Sequence, residues 1–230
     1  MSTFGLIHGA RSDSTHWRFL VPELEQRGHR VLLVDLPMSD PKADQIAYAD
    51  AAEAAFANAG EPIIAVGHSM GSAVAVQLED RIPLAGMILL TPAIFYSPEQ
   101  APDQPPPLLA NPTARVPTDE GLLVLPRDVT YDAYHDCPPD IIEWALDVLK
   151  PQGVAGMTAP FEFRPIRVPS ALIRASEDRT VSPDWQEWAA LALTGAPAIA
   201  IPGSHSPFLA RPAFLADQFH TLAKDFASRN

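Results

Sequence analysis

The sequence predicts an α/β fold: a six-stranded, mainly parallel sheet flanked by helices, with a small cap over the carboxyl edge of the sheet. Three observations carry the prediction. Continuous apolar runs recur at 3–8, 30–34, 62–66, 86–90, 170–175 and 198–201. Stretches with helical spacing lie between them. One long interval, about 92–167, breaks that alternation with a dense set of prolines.

The strands come first. The six runs are built from Val, Ile, Leu and Ala without polar alternation, the pattern of strands covered on both faces, as in a parallel sheet. Among the helices, Ile46, Ala49, Ala52 and Phe56 step by three and four until Gly60, and Leu215, Phe219, Leu222 and Phe226 repeat the spacing near the end of the chain. Strands alternating with helices imply right-handed βαβ crossovers. In the long interval, Pro98, Pro102, Pro105, Pro106, Pro107, Pro112 and Pro117 exclude a regular helix or a central strand. Phe95, Tyr96, Leu108, Leu109, Tyr131, Tyr134 and the helix-like stretch 138–149 give the same interval apolar mass. It therefore reads as a cap with an extended proline-rich lip rather than a linker. With 230 residues, no internal repeat and no second core, residues 1–230 read as a single domain.

Composition narrows the function classes. Sixteen Lys and Arg against 28 Asp and Glu leave a formal charge of −12. There is no basic stripe, which argues against a nucleic-acid partner. No apolar run approaches the roughly 20 residues that span a bilayer, and the N-terminus lacks the basic region of a signal peptide. The single cysteine, Cys137, cannot form a disulfide within the chain. These features together point to a cytoplasmic protein with no membrane association.

The chemistry enters at Gly67-His68-Ser69-Met70-Gly71, a G-x-S-x-G pattern between an apolar strand and a helix-compatible stretch read as beginning at Ser69. A serine on so sharp a turn projects its hydroxyl clear of the sheet, and small flanking residues let strand and helix approach. The helix N-terminus then faces a developing oxyanion.

A serine hydroxyl needs a base within hydrogen-bonding reach. Of seven histidines, His29, His135 and His220 fall in stretches reading as surface helix, turn or cap. His68 lies inside the elbow, while His8 and His16 follow the first strand. His205, in IPGSHSPF after the last strand, falls where the carboxyl edge places loops. Asp178, in IRASEDRTVSPDWQ after the penultimate strand, is the acid expected to orient it, with Glu177 the runner-up. Asp184 reads as a turn or helix-start residue. The order serine, acid, histidine is that of hydrolases with a G-x-S-x-G elbow. Backbone amides of Met70 and Ala10 are the expected oxyanion donors. No metal is needed, no histidine or cysteine cluster has zinc spacing, and no phosphate loop or dinucleotide fingerprint appears, so no cofactor is expected.

These residues resemble the α/β-hydrolase superfamily, and more narrowly its plant methylesterase and hydroxynitrile-lyase branch with bacterial esterase relatives. The opening LIHGARSDSTHWRFLVPELEQRGHRVLLVDLP is similar to that branch's first strand, loop, helix and second strand. YHDCPPDIIEWALDVLKPQ is similar to its cap helix, and EDRTVSPDWQEW to its acid loop. The resemblance implies the α/β-hydrolase fold and acyl chemistry on Ser69, His205 and Asp178. Lyases of this branch carry a threonine after the first-strand histidine and a lysine after the catalytic one. Gly9 and Ser206 stand there instead, which implies hydrolysis rather than cyanohydrin cleavage.

The expected activity is cleavage of a small to medium carboxylic ester, including lactones and thioesters, through an acyl-enzyme. Two other readings stay open: lyase or C–C cleavage on the same triad, and a ligand-binding protein with a slow triad. Between sheet edge and cap, Arg11, His16, Trp17, Phe95, Tyr96, Tyr131, Trp144, Met157 and Phe161 are candidates to line the substrate pocket. The apolar cap lip fits a homodimer surface as well as an entrance, so the sequence leaves the oligomeric state open.

Overall fold

The computed structural model describes residues 1–95, 105–110, 117–158 and 163–229. In chain order the strands are β1 (Thr3–Ile7), β2 (Arg30–Leu33), β3 (Ile63–His68), β4 (Leu84–Leu90), β5 (Leu122–Leu123), β6 (Gln152–Gly153), β7 (Ser170–Ala175) and β8 (Ile199–Ile201). The helices are α1 (Leu20–Gln26), α2 (Gln45–Phe56), α3 (Gly71–Leu78), α4 (Arg127–Tyr131), α5 (Pro139–Asp147), α6 (Ala155–Thr158), α7 (Pro183–Thr194), α8 (Pro207–Ala210) and α9 (Pro212–Ala227), with a 3-10 turn at Ser14–Trp17.

Six strands form one sheet in the order β2-β1-β3-β4-β7-β8, and every pairing is parallel. The continuous apolar runs have the cause read from the sequence: β1 and β3 are buried throughout. One face is covered by α2, α3 and α7, whose Phe56, Val74 and Trp185 share a core. The other face is covered by α1 and α9, with Leu24, Phe219 and Phe226 in a second core. Ile46 departs from its expected place. It is 58% exposed, because Asp44 caps the helix by accepting from the Ile46 and Ala47 amides and Gln45 turns inward instead.

Strand β1 has β2 on one side and β3 on the other. The chain therefore leaves β1 and β3 in opposite directions across the sheet, and the loops after them separate. A crevice opens at such a switch point beyond the carboxyl ends of the strands.

Between β4 and β7 the chain adds α4, α5 and α6 and a two-stranded antiparallel pair, β5 with β6. That pair has no counterpart in the sequence reading, since two residues per strand carry no period. Part of the proline-rich stretch is tied to the acid loop: Ser182 donates to the Leu108 carbonyl at 2.9 Å and Ala110 to that of Thr180 at 3.2 Å. Among the described residues no helix is long and apolar enough to cross a membrane.

Candidate functional site

Ser69 follows β3 directly and adopts φ +51°, in the left-handed region. For a non-glycine residue this costs on the order of 1–3 kcal/mol, and it persists only where the surroundings hold it. Here the Ser69 amide donates to the Leu90 carbonyl at 3.0 Å, and its carbonyl accepts from Ser72 at 3.0 Å. Helix α3 begins two residues later than the sequence implied, at Gly71 with Met70 as N-cap, so Ser69 stands outside the helix on the turn. The flanking glycines are required by contact. A Cβ on Gly67 would lie 2.5 Å from the Ser72 Cα, and one on Gly71 2.5 Å from the His8 carbonyl oxygen.

His205 lies after β8, buried, with Nδ1 2.8 Å from Asp178 Oδ2. A carboxylate at that nitrogen selects the tautomer with the proton on Nδ1 and leaves Nε2 free to accept. Asp178 is itself fully engaged. Its Oδ1 accepts from the Thr180 and Val181 amides at 2.8 and 2.9 Å, and its Oδ2 also accepts from Gln186 Nε2 at 3.1 Å. The neighbouring Glu177 is exposed, and among the described residues only its backbone is engaged: its carbonyl accepts from His135 and its amide donates to the Gly203 carbonyl. Ser69 and His205 line one cavity. Among the described residues no hydrogen bond joins the Ser69 hydroxyl to the ring.

Two groups to which the sequence reading gave no such role, Thr91 and His68, hold His205 in place. Its carbonyl accepts from Thr91 Oγ1 at 2.9 Å and from His68 Nε2 at 3.0 Å. Thr91, at the end of β4, has φ +41° and donates its amide to the Ile173 carbonyl at 2.7 Å. His68 is fully enclosed, with its ring centroid 4.7 Å from that of Phe208. Burial, reinforced by neighbouring His205, pushes its pKa well below the ordinary histidine value. His68 is thus a neutral donor fixed to the backbone rather than a competing base. The signal available in the sequence was position: polar residues directly after buried strands at the carboxyl edge.

The loop after β1 comes against the elbow. His8 Nε2 accepts from the Leu36 amide at 3.0 Å, so its Nδ1 carries the proton and faces the Gly9 carbonyl at 3.0 Å. A Cβ on Gly9 would lie 2.7 Å from His68 Nδ1 and 3.0 Å from Ser69 Cβ. This close approach brings Ala10 to the cavity beside Met70 and Ser69. Among the described residues neither the Ala10 nor the Met70 amide donates to a carbonyl or side chain.

Of the expected pocket residues, Arg11, Phe95 and Met157 line this cavity. Four do not. Trp17 is buried beneath the site, 4.6 Å from Phe208 by ring centroids, because the 3-10 turn packs against α8. His16 is buried beside it, 5.5 Å from the Trp144 ring, and Trp144 is covered in turn by the Arg18 guanidinium at 4.8 Å. Tyr131 is 43% exposed on the outer side of α4. Tyr96 and Phe161 lie outside the described residues. Much of the remaining wall comes from aliphatic residues of the intervening segment, including Leu123, Leu125, Val129 and Leu149, together with Tyr134 and Val181.

A parallel sheet in this order thus carries a strained serine, a carboxylate-bound histidine and two open amides at its switch point. The model of the alpha/beta hydrolase family matches residues 6–218, and the chain belongs to that family. It is 28% identical over 245 residues to a pyrethroid hydrolase of Sphingobium wenxiniae (strain DSM 21828 / CGMCC 1.7748 / JZ-1), an alignment covering 95% of this chain and 86% of that protein. Its fold is similar to that of a pyrethroid hydrolase from Sphingobium faniae JZ-2, with TM-score 0.77, 23% identity and 97% of each chain covered. It is also similar in fold to the methylesterase MES16 from Arabidopsis, with TM-score 0.75, 17% identity, and 97% and 99% of the two chains covered.

Proposed function

We propose that this chain is a carboxylic-ester hydrolase that works through Ser69, His205 and Asp178. The observation that carries the reading is the 2.8 Å contact of His205 Nδ1 with a buried Asp178, in the cavity that also holds the strained Ser69. Ser69 Oγ attacks the ester carbonyl as His205 Nε2 takes its proton. The Ala10 and Met70 amides receive the oxyanion, and His205 returns the proton to the departing alcohol. Water deprotonated by His205 then releases the acid. Lactones and thioesters follow the same course. The family relatives whose names describe ester hydrolases support the reaction class.

The segment 92–167 serves as a cap on a single domain, and its aliphatic residues fit a small to medium apolar ester. Two features favour hydrolysis over lyase chemistry. A side chain at position 9 would collide with His68 and Ser69, and the residue after His205 is the uncharged, buried Ser206. The lone thiol of Cys137, pushed up to about 12 by burial and then by Asp136, is unreactive. That is compatible with a cytoplasmic setting.

The test is turnover of a p-nitrophenyl ester series from acetate to octanoate. Wild-type protein is expected to show saturable hydrolysis with a chain-length optimum. Ser69→Ala should keep its fold by circular dichroism and lose kcat by a factor on the order of 10⁵–10⁶. Substantial turnover in Ser69→Ala would remove the serine from this role.

A further inference from the structure

Arg11 stands directly after the proposed oxyanion donor Ala10 and lines the same cavity. Its backbone is held in the left-handed region at φ +62° by two ties to the cap. Its amide donates to Gln152 Oε1 at 3.2 Å, and its carbonyl accepts from the Lys150 amide at 2.8 Å. Gln152 is itself buried and anchored to the Tyr48 hydroxyl at 2.9 Å. The side chain is therefore aimed from a fixed base.

Its charge has no counterpart. Nη1 donates to Thr130 Oγ1 at 2.8 Å, and Nε is buried with no acceptor. Among the described residues no carboxylate comes within ion-pairing distance. The other two charges on the cavity wall, Asp132 and Arg179, face each other at 3.6 Å. The contrast with other partly buried arginines is plain. Arg27, Arg81, Arg164 and Arg174 each meet at least one carboxylate. Arg211 pairs likewise with Asp136, so among the described, partly buried arginines Arg11, in the cavity, is the one that meets no acid. A guanidinium beside the aliphatic part of the pocket wall is the residue type suited to a carboxylate, which it meets through charge-assisted hydrogen bonds. With Nη1 held by Thr130 and Nε enclosed, Nη2 is the guanidinium nitrogen left to meet a carboxylate.

We propose that Arg11 binds a carboxylate carried by the substrate, so that the preferred esters are apolar monoesters of dicarboxylic acids rather than neutral esters. This deepens the esterase reading and rests on it. The probes are monomethyl esters of the dicarboxylic acids from glutarate to suberate, each set against the methyl ester of the monocarboxylic acid of equal length. Methanol release gives kcat/KM for wild type, Arg11→Met and Arg11→Lys. In wild type the ratio of carboxylated to neutral kcat/KM should exceed ten at the best-fitting length. Arg11→Met should lower that ratio about ten- to a hundredfold, the worth of a charge-assisted contact, and Arg11→Lys should restore part of it. A wild-type ratio near one, or a ratio unchanged in Arg11→Met, overturns the proposal while leaving the esterase reading intact. Calorimetric titration of monomethyl adipate into Ser69→Ala, with and without Arg11→Met, reads the contact without turnover. At least tenfold weaker binding in the double variant supports the assignment, and equal binding refutes it. Absence of methanol release from every ester would count against the esterase reading, and this titration would still decide the role of Arg11.

Discussion

His16 packs against Trp144 in the interior rather than lining the pocket. The sequence put it in the pocket, yet it is 1% exposed, and neither ring nitrogen has a hydrogen-bond partner among the described residues. Asp13 Oδ1 stands 3.9 Å from Nδ1, beyond hydrogen-bonding range. Burial lowers its pKa from 6.5 to about 4. A folded-state pKa below the unfolded value means that the unfolded chain takes up the proton first. The stability held at neutral pH is therefore lost as the pH falls from 6.5 towards 4. By pH 5 the loss from this residue alone is about 2 kcal/mol. Buried His8 and His68, also shifted downward by burial, add to it in the same direction. Urea unfolding at pH 7 and pH 5 should show a clear fall in stability for wild type. In His16→Phe, which keeps an aromatic ring against Trp144, the difference between the two pH values should shrink by about 2 kcal/mol. An unchanged difference would mean that His16 is not the buried neutral group described here.

At the scale of the element, the strand–turn–helix of β3 and α3 is where local geometry and chemistry meet. Gly71 lets α3 cross the end of β1, and the atoms a methyl would strike are backbone carbonyl oxygens of Ile7 and His8, which cannot swing away. Overpacking of this kind costs about 1–3 kcal/mol. Gly71→Ala is expected to lower Tm by about 5–10 °C in calorimetry, with a more than tenfold loss of ester turnover as Ser69 and the β1 loop are forced apart. An unchanged Tm would contradict the contact. Elements of this type were legible in the sequence because their causes are local. The six apolar runs became six parallel strands, differing by a residue or two at their ends. The helical spacing of Leu215, Phe219, Leu222 and Phe226 became the buried face of α9. The β5–β6 pair was not legible, since its two residues per strand are set by packing against other parts of the chain. Asp178 and His205 could be singled out because loops after parallel strands converge at one edge. The pocket walls could not, because which side a cap aromatic faces depends on its distant neighbours. Trp17 turned down onto Phe208, Trp144 turned onto His16, and Leu123, Val129 and Leu149 took the wall instead.

Across the whole molecule, the segment between β4 and β7 must return to the sheet in register, and a cluster of charges fixes that return. Glu79, at the end of α3, has a side chain only 2% exposed. It accepts from Arg164 Nη1 at 2.5 Å, from the Arg167 and Val168 amides at 2.5 and 3.0 Å, and from Arg167 Nε at 3.0 Å. The helix that begins at the serine turn is thus tied at its far end to the entry of β7, the strand that leads to Asp178. Arg164 and Arg167 also pair with the exposed Asp80, so removing the enclosed Glu79 charge costs about 2 kcal/mol, the worth of its charge-assisted hydrogen bonds. Glu79→Gln should lower Tm by about 4–8 °C. The difference should persist in 1 M NaCl, since the Glu79 carboxylate is itself enclosed and poorly screened. A loss that vanishes in salt would make the cluster a surface feature only.

The most direct measurement of the central claim is covalent labelling of the folded protein with a fluorophosphonate, located by peptide mass spectrometry. The account predicts one adduct, on Ser69, formed rapidly in wild type and strongly suppressed in His205→Ala. An adduct on another residue, or ester turnover with Ser69 left unlabelled by excess reagent, would contradict it.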